Sequence, residues 1–166
     1  HDGIRRYMHF GTGNYNDVTA HFYTDIGLFT CNNEMGIDST NLFNTLSGFS
    51  QPPYYHRLHL SPKNIRKFIG HKIDNEIAHA QAGDPALIRM KMNSLSDPHI
   101  IAKLYEAAAA GVKIELIVRG ICCLRNDIPE CKNNITVHSI VGRLLEHSRI
   151  YYFSNGGKEE IYFASA

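Results

Sequence analysis

The chain has 166 residues, 43% of them apolar and 20% charged, which allows a packed core and excludes a disordered polyelectrolyte. Its formal net charge of +1 excludes a non-specific nucleic-acid binder, so any anion site must come from local placement of Arg and Lys. The four cysteines (Cys31, Cys122, Cys123, Cys131) form no Cys-x-x-Cys and the ten histidines no His-Glu-x-x-His, which excludes the common zinc motifs and leaves reduced thiols.

In chain order, residues 4–10 and 26–31 read as short strands around a Gly11-Thr12-Gly13-Asn14 turn. Residues 38–47 read as a helix capped by Asp38 or Ser39. Gly48 to Pro53 is the best linker, because paired prolines continue neither a helix nor a central strand, and a domain boundary is placed near residue 54. His56 to Leu60 is strand-like, and Ser61-Pro62 reads as a helix start with Ser as cap and Pro in the first turn. Ile65, Phe68, Ile69, Ile73, Ile77 and Ala80 then recur on one helical face, which Gly83-Asp84-Pro85 ends. Leu87 to Met92 is a strand, Asp97-Pro98 opens a second helix closed by Gly111, and Ile114 to Val118 is the apolar run of a buried parallel strand. Further strands are expected at 135–141, 149–154 and 159–165, so the class is α/β. No signal peptide or membrane span is visible, since apolar runs fall far short of about 20 residues. The chain begins at His1 without a Met and stops inside a strand-like run, so both ends read as cut from a larger protein.

The chemistry concentrates in a few residues. His147-Ser148-Arg149 precedes a strand-like Ile150 to Phe153; an imidazole can trade a proton or a phosphoryl group near neutral pH, and a cation two residues on shares its side of a strand. Glu146 is adjacent, but neighbours on a strand face opposite ways. Arg119 follows a buried strand and precedes Gly120, where open α/β sheets bind ligands; a phosphate grip and a solvated strand-end Arg fit that position about equally. Arg89, Lys91 and Asn93 share one face of their strand, either lining a groove for an anion or forming a wet sheet face, the second being the commoner case. Gly11 to Asn14 is an ordinary turn or a cradle for phosphate oxygens, and Tyr23 is core or a stacking platform for a base.

Several runs together carry a resemblance: Tyr7-Met8-His9-Phe10-Gly11-Thr12-Gly13-Asn14-Tyr15-Asn16, Tyr23-Thr24-Asp25, Lys91-Met92-Asn93-Ser94-Leu95, Val118-Arg119-Gly120-Ile121-Cys122 and Leu145-Glu146-His147-Ser148-Arg149-Ile150. In this order the chain resembles bacterial polyphosphate kinase of the phospholipase D-like type. The resemblance implies a phospholipase D-like mixed sheet flanked by helices, with residues 1–53 the tail of a first catalytic domain plus linker and 54–166 most of a second. It implies reversible transfer of the terminal phosphate of ATP to inorganic polyphosphate through a phosphohistidine, with Mg2+ ligands upstream. It implies a cytoplasmic protein, or one peripheral to the inner membrane, that is a homo-oligomer when full-length. By the same likeness Tyr23 contacts nucleotide, Arg119 holds ATP phosphates, and His147 contacts nucleotide and acts as general acid. His9 is functional, and Thr12 and Asn14 take the Gly-Ser-x-Asn role; Lys91 and Arg149 remain as phosphate contacts.

One departure stands out. The family's phosphorylated His lies in a His-x-Lys motif shortly before the position of Tyr7, and residues 1–6 hold none. The chain alone is therefore expected to be inactive. The alternatives are a non-catalytic nucleotide- or polyanion-binding module and a phospholipase D-like phosphodiesterase; the latter needs two His-x-Lys motifs, where one is absent and the other reads His-x-Arg.

Overall fold

A computed structural model describes residues 4–48, 54–62, 64–129, 131 and 133–165. The N-terminal part holds β1 (Met8–Gly11), α1 (Asp17–Ala20), β2 (Tyr23–Thr24), β3 (Gly27–Thr30) and α2 (Asn33–Leu46), with β1 and β3 paired antiparallel. The C-terminal part holds α3 (Ile65–Ala82), β4 (Leu87–Met92), α4 (Pro98–Ala109), β5 (Lys113–Val118), β6 (Ile135–His138), β7 (Leu145–Glu146), β8 (Arg149–Phe153) and β9 (Glu160–Ala164). Its sheet runs β6-β5-β4-β8-β9; the first three strands are parallel and the last two antiparallel to their neighbours.

The core lies on one sheet face. Ile88, Met90, Ile114, Leu116, Val118 and Phe153 meet Ile69 and Ile73 of α3 and Leu104, Ala107 and Ala108 of α4. Alternation sends Arg89, Lys91, Glu115, Ile117, Ile150 and Tyr152 to the other face, where Arg89 Nε donates to Glu115 at 2.6 Å. On that face Arg89 and Glu115 are exposed and Lys91 is half-buried, and together they line a groove with Thr136, His138 and Tyr152. Sequence signals held best in the β4–α4–β5 unit, where Asp97 caps α4 by accepting from His99 and Ile100 N–H, and Pro98 opens the helix.

Three local expectations are corrected. The α2 helix begins at Asn33, not Asp38, because the Asn32 side chain accepts from Met35 N–H and caps it earlier. The α3 helix starts at Ile65 after Asn64, with Ser61-Pro62 in the turn before it. Residues 56–60 form no strand, and the N–H groups of residues 56–58 are claimed by a side chain. Asp38, fully buried within α2, accepts from the N–H of His56 at 2.9 Å, Arg57 at 2.6 Å and Leu58 at 3.0 Å, and bonds the His56 ring at 3.0 Å. The expected 48–53 linker falls mostly outside the described residues.

Burial would raise the Asp38 carboxyl, but the N–H groups of His56 and Arg57, with the His56 ring and Leu58, outweigh it and hold the group below its usual value. A carboxyl lowered in the fold stabilises it above the unfolded value, and that contribution is lost as pH falls through the lowered one. Asp38→Ala is expected to cost about 2 kcal/mol or more at neutral pH in urea unfolding. The gap to wild type should shrink below about pH 4.

Candidate active site

Two short strands far apart in sequence build the site. β2 and β7 pair in parallel, Tyr23 with Leu145 and Thr24 with Glu146. The ladder continues as Leu145 N–H to Phe22 O at 2.7 Å and His147 N–H to Thr24 O at 3.2 Å. This pairing sets Asp25, just past β2, beside His147, just past β7. Nδ1 of His147 lies 2.9 Å from Asp25 Oδ1, and the His side chain is only 10% exposed. A carboxylate can only accept, so Nδ1 carries the proton and Nε2 keeps its lone pair in the neutral ring. Tyr23 stacks on the imidazole with centroids 4.5 Å apart.

The glycine turn serves this pair. Thr12 is fully buried; its hydroxyl donates to Asp25 Oδ1 at 3.0 Å and accepts from Ile26 N–H at 2.9 Å, while its own N–H reaches Ile26 O. Gly13 packs so closely on the carboxylate that a Cβ there would lie 2.7 Å from Asp25 Oδ2. Asn14 is exposed, and its carbonyl accepts from Asn16 N–H. His9 has other partners: its ring stacks on Phe29, bonds the Tyr15 hydroxyl and lies where a Cβ on Gly27 would be 2.9 Å from Nε2.

The cations fall into two groups. Lys91 Nζ, on β4, donates to Glu146 at 2.9 Å and to Ser148 at 2.6 Å, the residues on either side of His147. Glu146 also accepts from the Thr24 hydroxyl at 3.1 Å. The Lys91 ammonium and the Thr24 hydroxyl hold its carboxyl below the usual range. Arg149 turns back to donate to the His147 carbonyl at 2.7 Å. Arg119 leaves the end of β5 on the far side of β4, and β4 lies between it and β8. Two strand spacings put it about 10 Å from the start of β8, at the same end of the sheet. Its Nε and Nη2 both donate to Asn93 Oδ1, at 3.0 and 2.6 Å.

Asp25 and Asn93 were not singled out from the sequence as partners of His147 and Arg119. Asp25 closes the Tyr23-Thr24-Asp25 run, but nothing local marks a carboxylate whose base lies 122 positions on. Glu146, the nearest acid in sequence, serves Lys91 instead. Among the described residues no group of three His, Cys, Asp or Glu side chains could hold a metal ion, and no helix is long and apolar enough to cross a membrane.

The mixed sheet, with helices over its core face and a histidine–carboxylate pair joined across two segments, is a phospholipase D-like α/β scaffold. The model of the polyphosphate kinase C-terminal domain 2 matches residues 58–166, and that of the polyphosphate kinase C-terminal domain 1 matches residues 1–52. The chain belongs to the polyphosphate kinase family. It is 69% identical over 165 residues to a polyphosphate kinase of Lactiplantibacillus plantarum, a match covering 99% of this chain and 23% of that protein. A polyphosphate kinase of Halalkalibacterium halodurans is 56% identical over 166 residues, with 99% and 23% covered. The crystal structure of polyphosphate kinase from Porphyromonas gingivalis superposes with a TM-score of 0.90 at 42% identity, covering 98% of this chain and 27% of that one. The chain thus spans about a quarter of the length of the relatives it matches.

Asp25→Ala should free the ring tautomer. The 15N shifts of the His147 ring are expected to move from the Nδ1–H form toward the Nε2–H form favoured in water. Gly13→Ala should do the same by pushing the carboxylate away; unchanged shifts in both variants would show that Asp25 does not set the tautomer.

Proposed function

We propose that this chain forms part of the catalytic centre of an enzyme that reversibly transfers the terminal phosphate of ATP to inorganic polyphosphate. In this reading the terminal phosphoryl group leaves ADP, is carried on a histidine, and passes to the end of a phosphate chain. By family likeness the carrier histidine lies in a His-x-Lys motif that residues 1–6 do not contain. His147 is the proton-handling partner. The observation that carries this is the 2.9 Å bond from Nδ1 to Asp25 in a ring only 10% exposed. A carboxylate on Nδ1 orients the ring and stabilises the imidazolium formed when Nε2 takes a proton, so Nε2 can accept a proton and return it to a leaving oxygen.

The remaining roles follow from position. Tyr23, stacked on His147, has an aromatic surface suited to a nucleotide base. Arg119 supplies positive charge at the same sheet end, and its buried Nη1 has no hydrogen-bond partner among the described residues, as a guanidinium intended for an anion would. Lys91 and Arg149 act less as phosphate contacts than as braces of the 146–148 backbone. Thr12 holds Asp25. The Mg2+ implied by the resemblance finds no ligand group among the described residues, and no step here is assigned to it.

The reading is tested in a full-length kinase of the family carrying this sequence. His147→Ala is expected to lower kcat for polyphosphate synthesis about 10²–10⁴-fold, the range for loss of a general acid–base; a kcat within threefold of wild type would remove His147 from the chemistry. The 166-residue chain by itself, incubated with γ-labelled ATP, is expected to gain no acid-labile phosphate. Labelling of any of its histidines would place the carrier inside it. Salt-dependent binding of polyphosphate without turnover, in the full-length protein, would instead favour a binding module.

A further inference from the structure

We infer that Asn93 is a positioning residue for Arg119, placed to aim the guanidinium at a phosphate without cancelling its charge. The inference deepens the phosphate-binding reading of Arg119 and rests on it. The Arg119 fork has only donors, so the two contacts at 3.0 and 2.6 Å, from Nε and Nη2, identify the Asn93 atom facing it as the amide oxygen. One lateral edge of the guanidinium is thereby tied to the residue that follows β4. The end edge, which includes Nη1, is left over, and Nη1 is buried with no hydrogen-bond partner among the described residues. A buried N–H without a partner costs about 1–3 kcal/mol, which an anion on that edge would offset. That end edge is one of the two bidentate faces that a phosphate takes.

The choice of an amide is informative. Aspartate has nearly the same shape and would hold Arg119 more strongly, as a charged pair. It would also neutralise the group that has to attract an anion. A neutral acceptor orients the cation and leaves its field intact. Elsewhere on this sheet Arg89 is paired instead with a carboxylate, Glu115, at 2.6 Å, and lies over the Tyr152 ring. The backbone around Asn93 is held independently of its side chain. Arg119 N–H donates to Met92 O at 3.1 Å and Gly120 N–H to Asn93 O at 2.6 Å. A Cβ on Gly120 would sit only 3.0 Å from that same carbonyl. Side-chain substitution at 93 should therefore alter the guanidinium and spare the strand.

Asn93 lies one residue past the end of β4, in the bend that follows Lys91 and Met92. Lys91 reaches toward β8 and braces the residues around His147, while Asn93 reaches toward β5 and fixes Arg119. Residues at and just beyond the carboxyl end of one strand thus address both flanks of the proposed site.

The test uses a full-length kinase of the family carrying this sequence, with ATP KM, kcat and Tm measured for N93D, N93L, R119Q and the N93D/R119Q double variant. R119Q is expected to raise the KM for ATP about tenfold or more. N93D should raise it by a similar factor with Tm no lower than wild type, because the ion pair forms but the anion is repelled. N93L, of similar volume without the acceptor, should also raise KM more than it lowers kcat. In the R119Q background N93D should add less than twofold. If R119Q raises KM while N93D and N93L leave it within twofold, Asn93 does not position Arg119 for substrate, although the phosphate reading stands. If R119Q itself has no effect, that reading falls and this inference with it. A lower Tm in both Asn93 variants at unchanged KM would make Asn93 a fold-stabilising residue only.

Discussion

The side-chain hydrogen bond from His147 to Asp25, across 122 positions of chain and beside the β2–β7 ladder, makes one chemical unit of residues from the N-terminal and C-terminal parts. An imidazole alone in water has no preferred direction and populates both tautomers. Held by a carboxylate, stacked on Tyr23 and largely withdrawn from solvent, it has one proton position and one free nitrogen. Charge-assisted hydrogen bonds to partly buried groups contribute more than exposed ion pairs such as Arg125–Asp127, whose contribution solvent and salt reduce. Much of the local structure works to keep this bond. The β2–β7 pair supplies the register, Thr12 anchors the carboxylate, and Gly13 leaves room for it.

The central strand of the C-terminal sheet has a second organising role. Its inward residues, Ile88, Met90 and Met92, belong to the core shared with α3 and α4. Its outward residues Arg89 and Lys91 are polar because they point away from that core, and Lys91 and Asn93, the residue just past its end, make specific contacts. Lys91 ties down Glu146 and Ser148, and Asn93 ties down Arg119. Packing on one face therefore fixes the frame from which the other face positions functional groups. Parallel pairing of β4 with β5 and antiparallel pairing with β8 bring Arg119 and His147 to the same end of the sheet although one follows its strand and the other precedes it.

Legibility tracked the range of the interactions. The α3 stripe from Ile65 to Ala80, the β4 strand and the Asp97-Pro98 helix start were readable because helix periodicity, capping and alternation are encoded within a few residues. Residues 56–60 were misread as a strand for the opposite reason. Their alternating pattern is compatible with one, but the buried Asp38 claims three of their N–H groups from 18 to 20 positions away. The Asp38 carboxyl looked like a helix cap because caps favour that residue type, while the actual cap, Asn32, lies earlier. The two-residue strands β2 and β7 leave too short a pattern to detect; only their pairing defines them.

By itself the sequence determined which residue types are available for chemistry: His147, the arginines at 119 and 149, Tyr23 and the Gly-Thr-Gly-Asn turn, in the order that carries the resemblance to polyphosphate kinases. It also determined the α/β class, because periodicity and capping are local properties of the chain. The tertiary structure alone decided who partners whom. Asp25 rather than neighbouring Glu146 faces the imidazole, Lys91 braces rather than projects, and Asn93 holds Arg119. Those choices depend on strand register and on which sheet face a side chain occupies, and both are set by burial of the core rather than by the residues that perform the chemistry.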